Sequence, residues 1–328
     1  MRKVLVAIFL LLIITPLLAM VYLRFFLPDV DVPAVEVDIT PERIQHGKYL
    51  ANHVTVCIDC HSTRDWSRFS GPLEVGSEGM GGQRFGKEEG FPGTFYSRNI
   101  TPTNLENWTD GEIFRAITSG VDKEGKALFP VMPYLYYGTM DKEDVYDIIA
   151  YLRSLDPIEN ETKKHVIDFP MAFIVNTIPK KPMFSKKPPT SDTVAYGGYL
   201  VKIAACIECH TPVKNGQIIS KQAFSGGRSF TTPNGILRSA NITSDSLTGI
   251  GAWTEEAFVA RFKTYDKPTR DIDTIPKTAI NTIMPWTMYG GMDSSDLVAI
   301  YRYLQTIKPI KNEVVHYELA HHDVKDKH

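Results

Sequence analysis

From Val4 to Leu23 the chain carries no charged residue. Twenty residues in an α-helix rise about 30 Å, the thickness of a bilayer's hydrocarbon core, so this run predicts a membrane-spanning helix. Arg2 and Lys3 ahead of it point the amino terminus to the cytoplasm. The run exceeds the ~7–15 apolar residues of a secretory signal, and Tyr22 to Phe26 do not form a small-x-small cleavage site. An uncleaved anchor over residues 1–27 is therefore favoured over a removed signal peptide, and Pro16 is tolerable inside a membrane. Residues 28–40, with Pro33 and alternating Val and Asp, read as an extended stalk lifting the rest off the membrane.

Beyond the stalk the hydrophobic pattern becomes a series of short helical periods, and the fold class is mainly α. Thr40 and Pro41 open a helix as N-cap and first residue. Thr109 and Glu112 form a capping-box signature, with Trp108 placed to staple onto Ile113. Val145, Ile148, Ile149 and Leu152 share a helical face, as do Leu297, Ile300, Tyr301 and Leu304. Asp141 with Asp144, and Asp293 with Asp296, read as the caps of these closing helices, and Pro157 and Pro309 stop them. The glycine-rich stretch from Ser70 to Gly93 reads as a flexible surface excursion. Residues 161–190 are a proline-rich connector. Its apolar part, Phe169 to Ile178, is too short to cross a membrane and is expected to pack against the flanking units.

These periods occur twice. Asn99-Ile100-Thr101 returns as Asn241-Ile242-Thr243, Trp108-Thr109 as Trp253-Thr254, Met132-Pro133 as Met284-Pro285, and Tyr151-Leu152 as Tyr303-Leu304. The offset drifts from 142 (99 to 241) to 152 (132 to 284), as when loops of different length join fixed elements of a duplicated unit. The second copy has its own insertion between Lys263 and Ile283. A length of 328 residues fits two units on a prior of about 150 residues each. The boundaries are 41–160 and 191–312, with a tail over 313–328.

The repeat also carries the chemistry. Cys57-Ile58-Asp59-Cys60-His61 and Cys206-Ile207-Glu208-Cys209-His210 are C-x-x-C-H sequences, the attachment signature of haem c. Two thiols on one helical turn suit thioether bonds to the haem vinyl groups, and the adjacent histidine suits the proximal side of the iron. The two motifs use all 4 cysteines, leaving none for a disulfide or an iron–sulfur cluster. A structural zinc site needs four closely spaced ligands, and a redox C-x-x-C needs no following histidine. Two covalently attached haem c groups are expected. With 43% hydrophobic and 23% charged residues the chain is ordinary globular material, and a net charge of −2 excludes a nucleic-acid binder.

The distal position separates electron transfer from catalysis, because a methionine thioether closes the iron and an open position admits peroxide. Met132 and Met284, each in a proline-bounded stretch, are the preferred candidates. Met140 and Met292 repeat equally well, but they precede Asp141 and Asp293, where a hydrophobic staple onto Val145 or Leu297 accounts for them. His46 and His53 are further candidates at the first site, with Ala195 and Lys202 at the matching places in the second. Trp108, Trp253, Asn99, Asn241, Arg98 and Arg238 are candidates for a haem propionate. His316, His321, His322 and His328 give a weak metal-binding signal in the tail.

Gly-x-Tyr-Leu before C-x-x-C-H, Asn-Ile-Thr, Gly249-Ile250-Gly251-Ala252-Trp253-Thr254, Met-Pro, and Ala150-Tyr151-Leu152-Arg153-Ser154-Leu155 together resemble class I cytochrome c domains. Their arrangement behind an apolar amino terminus is similar to the membrane-associated cytochrome subunits of bacterial alcohol and aldehyde dehydrogenases. Members of that group commonly carry three haem units, and this chain carries two. The resemblance implies two tandem class I domains behind a single transmembrane helix, on the outer, periplasmic face of a bacterial cytoplasmic membrane. It implies proximal ligands His61 and His210 and distal ligands Met132 and Met284. It also implies one-electron relay rather than enzyme catalysis, between a dehydrogenase or quinol-oxidising complex and a terminal oxidase or soluble cytochrome. The alternatives are an integral subunit of a dehydrogenase complex, and a dihaem peroxidase or sulfur-oxidising enzyme with an open or altered haem site.

Overall fold

The structure is a computed structural model and describes residues 1–320 of the chain. Tail residues His321, His322 and His328 lie outside the described residues. Helix α1 (Arg2–Phe25) is the apolar run; none of its residues is buried, and its last turn meets the connector. Residues 28–40 form neither helix nor strand, and they lie along the first repeat instead of standing off it. Val37 is buried and its N–H donates to Asp110 Oδ2 at 2.9 Å, while Arg115 Nη1 donates to the Val30 carbonyl at 3.1 Å. The stalk expectation is corrected: Val37 buries against this surface, while Val32 stays 43% exposed.

The first repeat comprises α2 (Pro41–Tyr49), a π-helical turn at Leu50–Val54, α3 (Cys57–Cys60), strands β1 (Arg84–Phe85) and β2 (Gly93–Tyr96), and helices α4 (Pro102–Leu105), α5 (Asp110–Ser119), α6 (Tyr134–Tyr137) and α7 (Lys142–Ser154). The connector holds β3 (Val166–Ile167), which joins β1 and β2 in an antiparallel sheet, and α8 (Met171–Ile174). The second repeat comprises α9 (Thr193–Ile203), α10 (Cys206–His210), the hairpin β4 (Val213–Lys214) and β5 (Gln217–Ile218), β6 (Ser229–Thr232), β7 (Gly235–Arg238), α11 (Glu255–Lys263), α12 (Trp286–Tyr289) and α13 (Ser294–Thr306). Part of the expected tail, β8 (Tyr317–Leu319), is a third strand beside β7.

In each repeat the helix before the cysteines crosses the closing helix at a glycine. A Cβ on Gly47 would lie 1.8 Å from the Asp147 carbonyl oxygen, and one on Gly197 would lie 1.9 Å from that of Ala299. Only glycine lets these backbones approach so closely. The expected faces are inward: Val145, Ile148, Ile149 and Leu152 are buried, as are Leu297, Ile300 and Leu304. Thr109 and Glu112 close their capping box.

The capping expectation for the closing helices needs correction. Asp141 caps Glu143 N, whereas Asp293 makes no side-chain cap. Asp144 and Asp296 are buried and turn to the opposite repeat. Tyr199 Oη donates to Asp144 Oδ2 at 2.5 Å, and Tyr49 Oη donates to Asp296 Oδ2 at 2.7 Å. Backbone N–H groups of Asp141 and Asp293 donate in turn to Tyr199 Oη (3.2 Å) and Tyr49 Oη (3.1 Å). The tyrosines are those of the Gly-x-Tyr-Leu elements, so the two repeats clasp each other through one self-complementary patch, the signature of two-fold symmetry.

A second contact is asymmetric. The hairpin around residues 64–73 is gripped by the insertion of the second repeat: Arg68 Nη1 donates to the Ile272 carbonyl at 2.6 Å, and Thr269 Oγ1 donates to the Leu73 carbonyl at 3.1 Å. The connector packs less than its sequence suggests. Val175 is 3% exposed, but Phe169 is 74% and Ile174 42% exposed.

Gly47→Ala and Gly197→Ala each force two helices apart. Each is expected to cost about 1–3 kcal/mol or more, read as a lower denaturation midpoint with an unchanged slope. Gly125→Ala, where the Cβ meets open space but φ is 77°, reports backbone strain alone and is expected to cost about 1–2 kcal/mol.

Candidate functional site

The two C-x-x-C-H segments are presented by the same local device. After α2 and its π-turn, Val56 enters the left-handed region at φ 46°; after α9, Ala205 does so at φ 51°. A β-branched residue there is strained by on the order of 1–3 kcal/mol, and the bend starts a new helix at the first cysteine. Each bend is braced from a buried tyrosine. Tyr137 Oη donates to the Thr55 carbonyl at 2.9 Å, and Tyr289 Oη donates to the Ala204 carbonyl at 3.2 Å. Sequence reasoning missed these tyrosines, although both repeat at the offset of the Met-Pro pairs (137 to 289).

The histidines are held identically. His61 Nδ1 lies 2.7 Å from the Arg98 carbonyl, and His210 Nδ1 lies 2.8 Å from the Ala240 carbonyl. A carbonyl oxygen only accepts, so Nδ1 carries the proton and Nε2 keeps its lone pair, the arrangement of a metal-binding imidazole. Burial lowers both histidine pKa values, against the opposing pull of the carbonyl, which favours the neutral ring. The acceptors are set by tight glycines. Gly81 (φ 74°) and Gly226 (φ 73°) would place a Cβ 2.5 Å and 2.4 Å from the backbone of Arg98–Asn99 and Ala240–Asn241. Their N–H groups donate to the His61 and His210 carbonyls, each at 2.8 Å. This part of the glycine-rich stretch is therefore a fixed cradle, which corrects the flexible-excursion reading.

Burial pushes the thiols up, to about 12 for Cys60 and Cys206. That is opposite to the depressed values of redox-active C-x-x-C pairs. Tyr136 of the first repeat donates to Glu208 inside the second motif. The described residues do bring three metal-type donors together at His46, Asp144 and Asp147. Cations already occupy that cluster: Arg43 Nη1 lies 2.6 Å from Asp147, and Lys187 Nζ lies 2.5 Å from Asp144. The donor set at C-x-x-C-H, with a free Nε2 beside two unionised thiols on one turn, fits a c-type haem.

The remaining candidates separate clearly. Met140 and Met292 are 0% and 1% exposed in the hydrophobic core. Met132 and Met284 are only half-buried. Each begins a tight turn in which the N–H two residues on donates to the methionine carbonyl at 2.8 Å, around Pro133 or Pro285. The prolines sit at φ −79° with ψ 49° and 63°, inverse γ-turn geometry. Asn99 and Asn241 are latches rather than propionate ligands: their Oδ1 atoms accept from Thr101 and Thr243, and their Nδ2 atoms donate to the Ile158 and Ile310 carbonyls at 2.8 Å. His46 pairs with Asp147 and His53 Nδ1 with the Met288 carbonyl, both at 2.8 Å. Arg238 pairs with Glu318, and the structural counterpart of Arg98 is Ala240. Trp108 packs on the core, while Trp253 is 40% exposed.

One contributor had no signal in the repeat. Ser70, fully buried with φ 63°, donates Oγ–H to the Met284 carbonyl at 2.6 Å and accepts from Trp286 N at 3.0 Å. The first repeat thus clamps the Met-Pro turn of the second.

No family model matches the chain. It is 27% identical over 286 residues to the cytochrome c subunit of a quinone-dependent alcohol dehydrogenase from Gluconacetobacter polyoxogenes, covering 81% of this chain and 56% of that protein. Its homologues include cytochrome c subunits of alcohol, gluconate and fructose dehydrogenases and a diheme cytochrome c. A gluconate 2-dehydrogenase cytochrome c subunit from Pantoea cypripedii is 26% identical over 282 residues, 80% of this chain and 59% of the relative. A diheme cytochrome c-type protein from Cereibacter sphaeroides is 28% identical over 169 residues, 49% of this chain and 54% of the relative. The chain therefore spans little more than half the length of these relatives.

Ser70→Ala removes the hydroxyl from two buried backbone partners and is expected to cost ~1–3 kcal/mol. Ser70→Gly loses the same bonds but relieves the left-handed strain of about 1 kcal/mol. In denaturant unfolding the alanine variant should be the less stable of the two.

Proposed function

We propose that the chain is a membrane-anchored dihaem c-type cytochrome, built of two tandem class I domains over 41–160 and 191–312. It passes single electrons between a dehydrogenase or quinol-oxidising complex and a terminal oxidase or soluble carrier. The observation that carries this reading is the duplicated histidine lock, with Nδ1–H fixed on a backbone carbonyl beside two thiols on one turn. Haem c, when bound, supplies a one-electron Fe(III)/Fe(II) couple. Cys57, Cys60, Cys206 and Cys209 would hold it covalently, with His61 and His210 proximal and Met132 and Met284 distal.

This chain's residues contribute orientation and tuning. Nδ1–H donation raises the electron density of each imidazole, and a neutral thioether on the other side favours the reduced state. Rigid Met-Pro turns favour closed sites over the open one that peroxide chemistry requires. The reciprocal tyrosine–aspartate clasp holds the two motifs beside each other, which suits exchange within one chain. The names of the relatives favour placement as the cytochrome subunit of a dehydrogenase complex, and α1 read as an anchor puts both domains on the periplasmic face.

The ligand assignment is tested by substitution in the intact protein. Met132→Leu and Met284→Leu are each expected to open one site to carbon monoxide and to lower one reduction potential. Met140→Leu and Met292→Leu should leave both sites closed. Carbon monoxide binding by the unsubstituted reduced protein, or opening by the core methionines instead, overturns the assignment.

A further inference from the structure

The connector presents apolar surface where the membrane helix ends. Helix α8 and the turn after it pack against the last turn of α1, and Asn176 Nδ2 donates to the Leu23 carbonyl at 3.0 Å. This bond fixes the height of the connector relative to the outer end of the apolar run. Phe169 is 74% exposed and Ile174 42%, while Phe25 and Phe26 on the neighbouring helix end are 75% and 65% exposed. Phe169 and Phe173 pack edge to face at 6.3 Å, so the aromatic surface is ordered rather than scattered. Contiguous exposed apolar surface on an ordered segment marks a contact with something apolar.

Charge indicates what that is. Lys180 and Lys181 follow directly in the chain and are exposed, and the one acid bordering the apolar stretch, Asp168, is paired with Lys87 at 2.8 Å. Aromatic and aliphatic side chains with exposed lysines beside them are the composition of an interfacial membrane contact, where rings lie at headgroup depth and ammonium groups meet anionic lipid.

We propose that the segment 168–181 lies in the outer leaflet's interfacial layer, inserting Phe169 and Ile174, and so forms a second membrane contact beside the anchor. With two contacts instead of one, the haem domains are held at a fixed tilt over the bilayer. The inference rests on reading α1 as a retained anchor.

The test uses the full chain in vesicles of phosphatidylethanolamine and phosphatidylglycerol, carrying one nitroxide on Phe169→Cys, Ile174→Cys, Leu11→Cys or Val75→Cys. Unsubstituted protein put through the same labelling supplies the background. Labels at 169 and 174 should collide several-fold more with oxygen, relative to a water-soluble nickel chelate, than the label at Val75, which is 90% exposed. The label at Leu11 reports the anchor separately. Lipid exposure at 11 with water exposure at 169 and 174 overturns the inference and leaves the anchor reading standing. Lipid exposure at 169 and 174 without it at 11 removes the anchor reading and overturns the two-contact inference that rests on it. Shielding of 169 and 174 from both reagents assigns the patch to another copy of the protein and also overturns the inference.

Discussion

Asp144 and Asp296 are the pivots of this molecule. A carboxylate taken out of water costs several kcal/mol unless it is bonded, and each of these is satisfied from the opposite repeat, by Tyr199 or by Tyr49. Local groups add to each: Lys187 reaches Asp144, and Tyr196 reaches Asp296 at 3.3 Å. Burial still raises the Asp296 pKa, in spite of both tyrosines. Neither repeat can leave the other without costing each acid its tyrosine partner across the interface. The tyrosines stand on α2 and α9, which run on through the strained bends into the two C-x-x-C-H turns. The interface that joins the repeats therefore also sets where the two cofactor sites lie.

Much of this was legible in the sequence because it is local. Helix periods, the Thr109–Glu112 box, the motifs and the repeat all lie within a few residues of their partners or recur at a readable offset. The same locality misled elsewhere. Asp144 three residues after Asp141 has the spacing of a cap, yet its partner is Tyr199, 55 positions away. Asn-Ile-Thr recurs because it latches the chain after the closing helix, a packing role that recurs as faithfully as a ligand would. The Gly81 and Gly226 cradles pair with carbonyls across a loop of unknown course, so glycine density alone suggested mobility. Ser70 lies in one copy and acts on the other, where no repeat comparison finds it.

The two sites are alike in their proximal halves and unlike in their surroundings. His61 and His210 share one geometry, and Tyr137 and Tyr289 share one bracing role. The Met284 turn, however, is tied to the first repeat through Ser70, a contact with no counterpart at the Met132 turn among the described residues. Such a division suits a carrier with an entry and an exit, in keeping with relatives that are cytochrome subunits of dehydrogenases.

The most direct test is the haem content and spin state of the purified chain. Pyridine haemochrome analysis against protein concentration, with an electron paramagnetic resonance spectrum of the oxidised form, measures both. The account predicts two covalently bound haems per chain, both low-spin. A single haem, or a high-spin ferric signal in substantial amount, would contradict it.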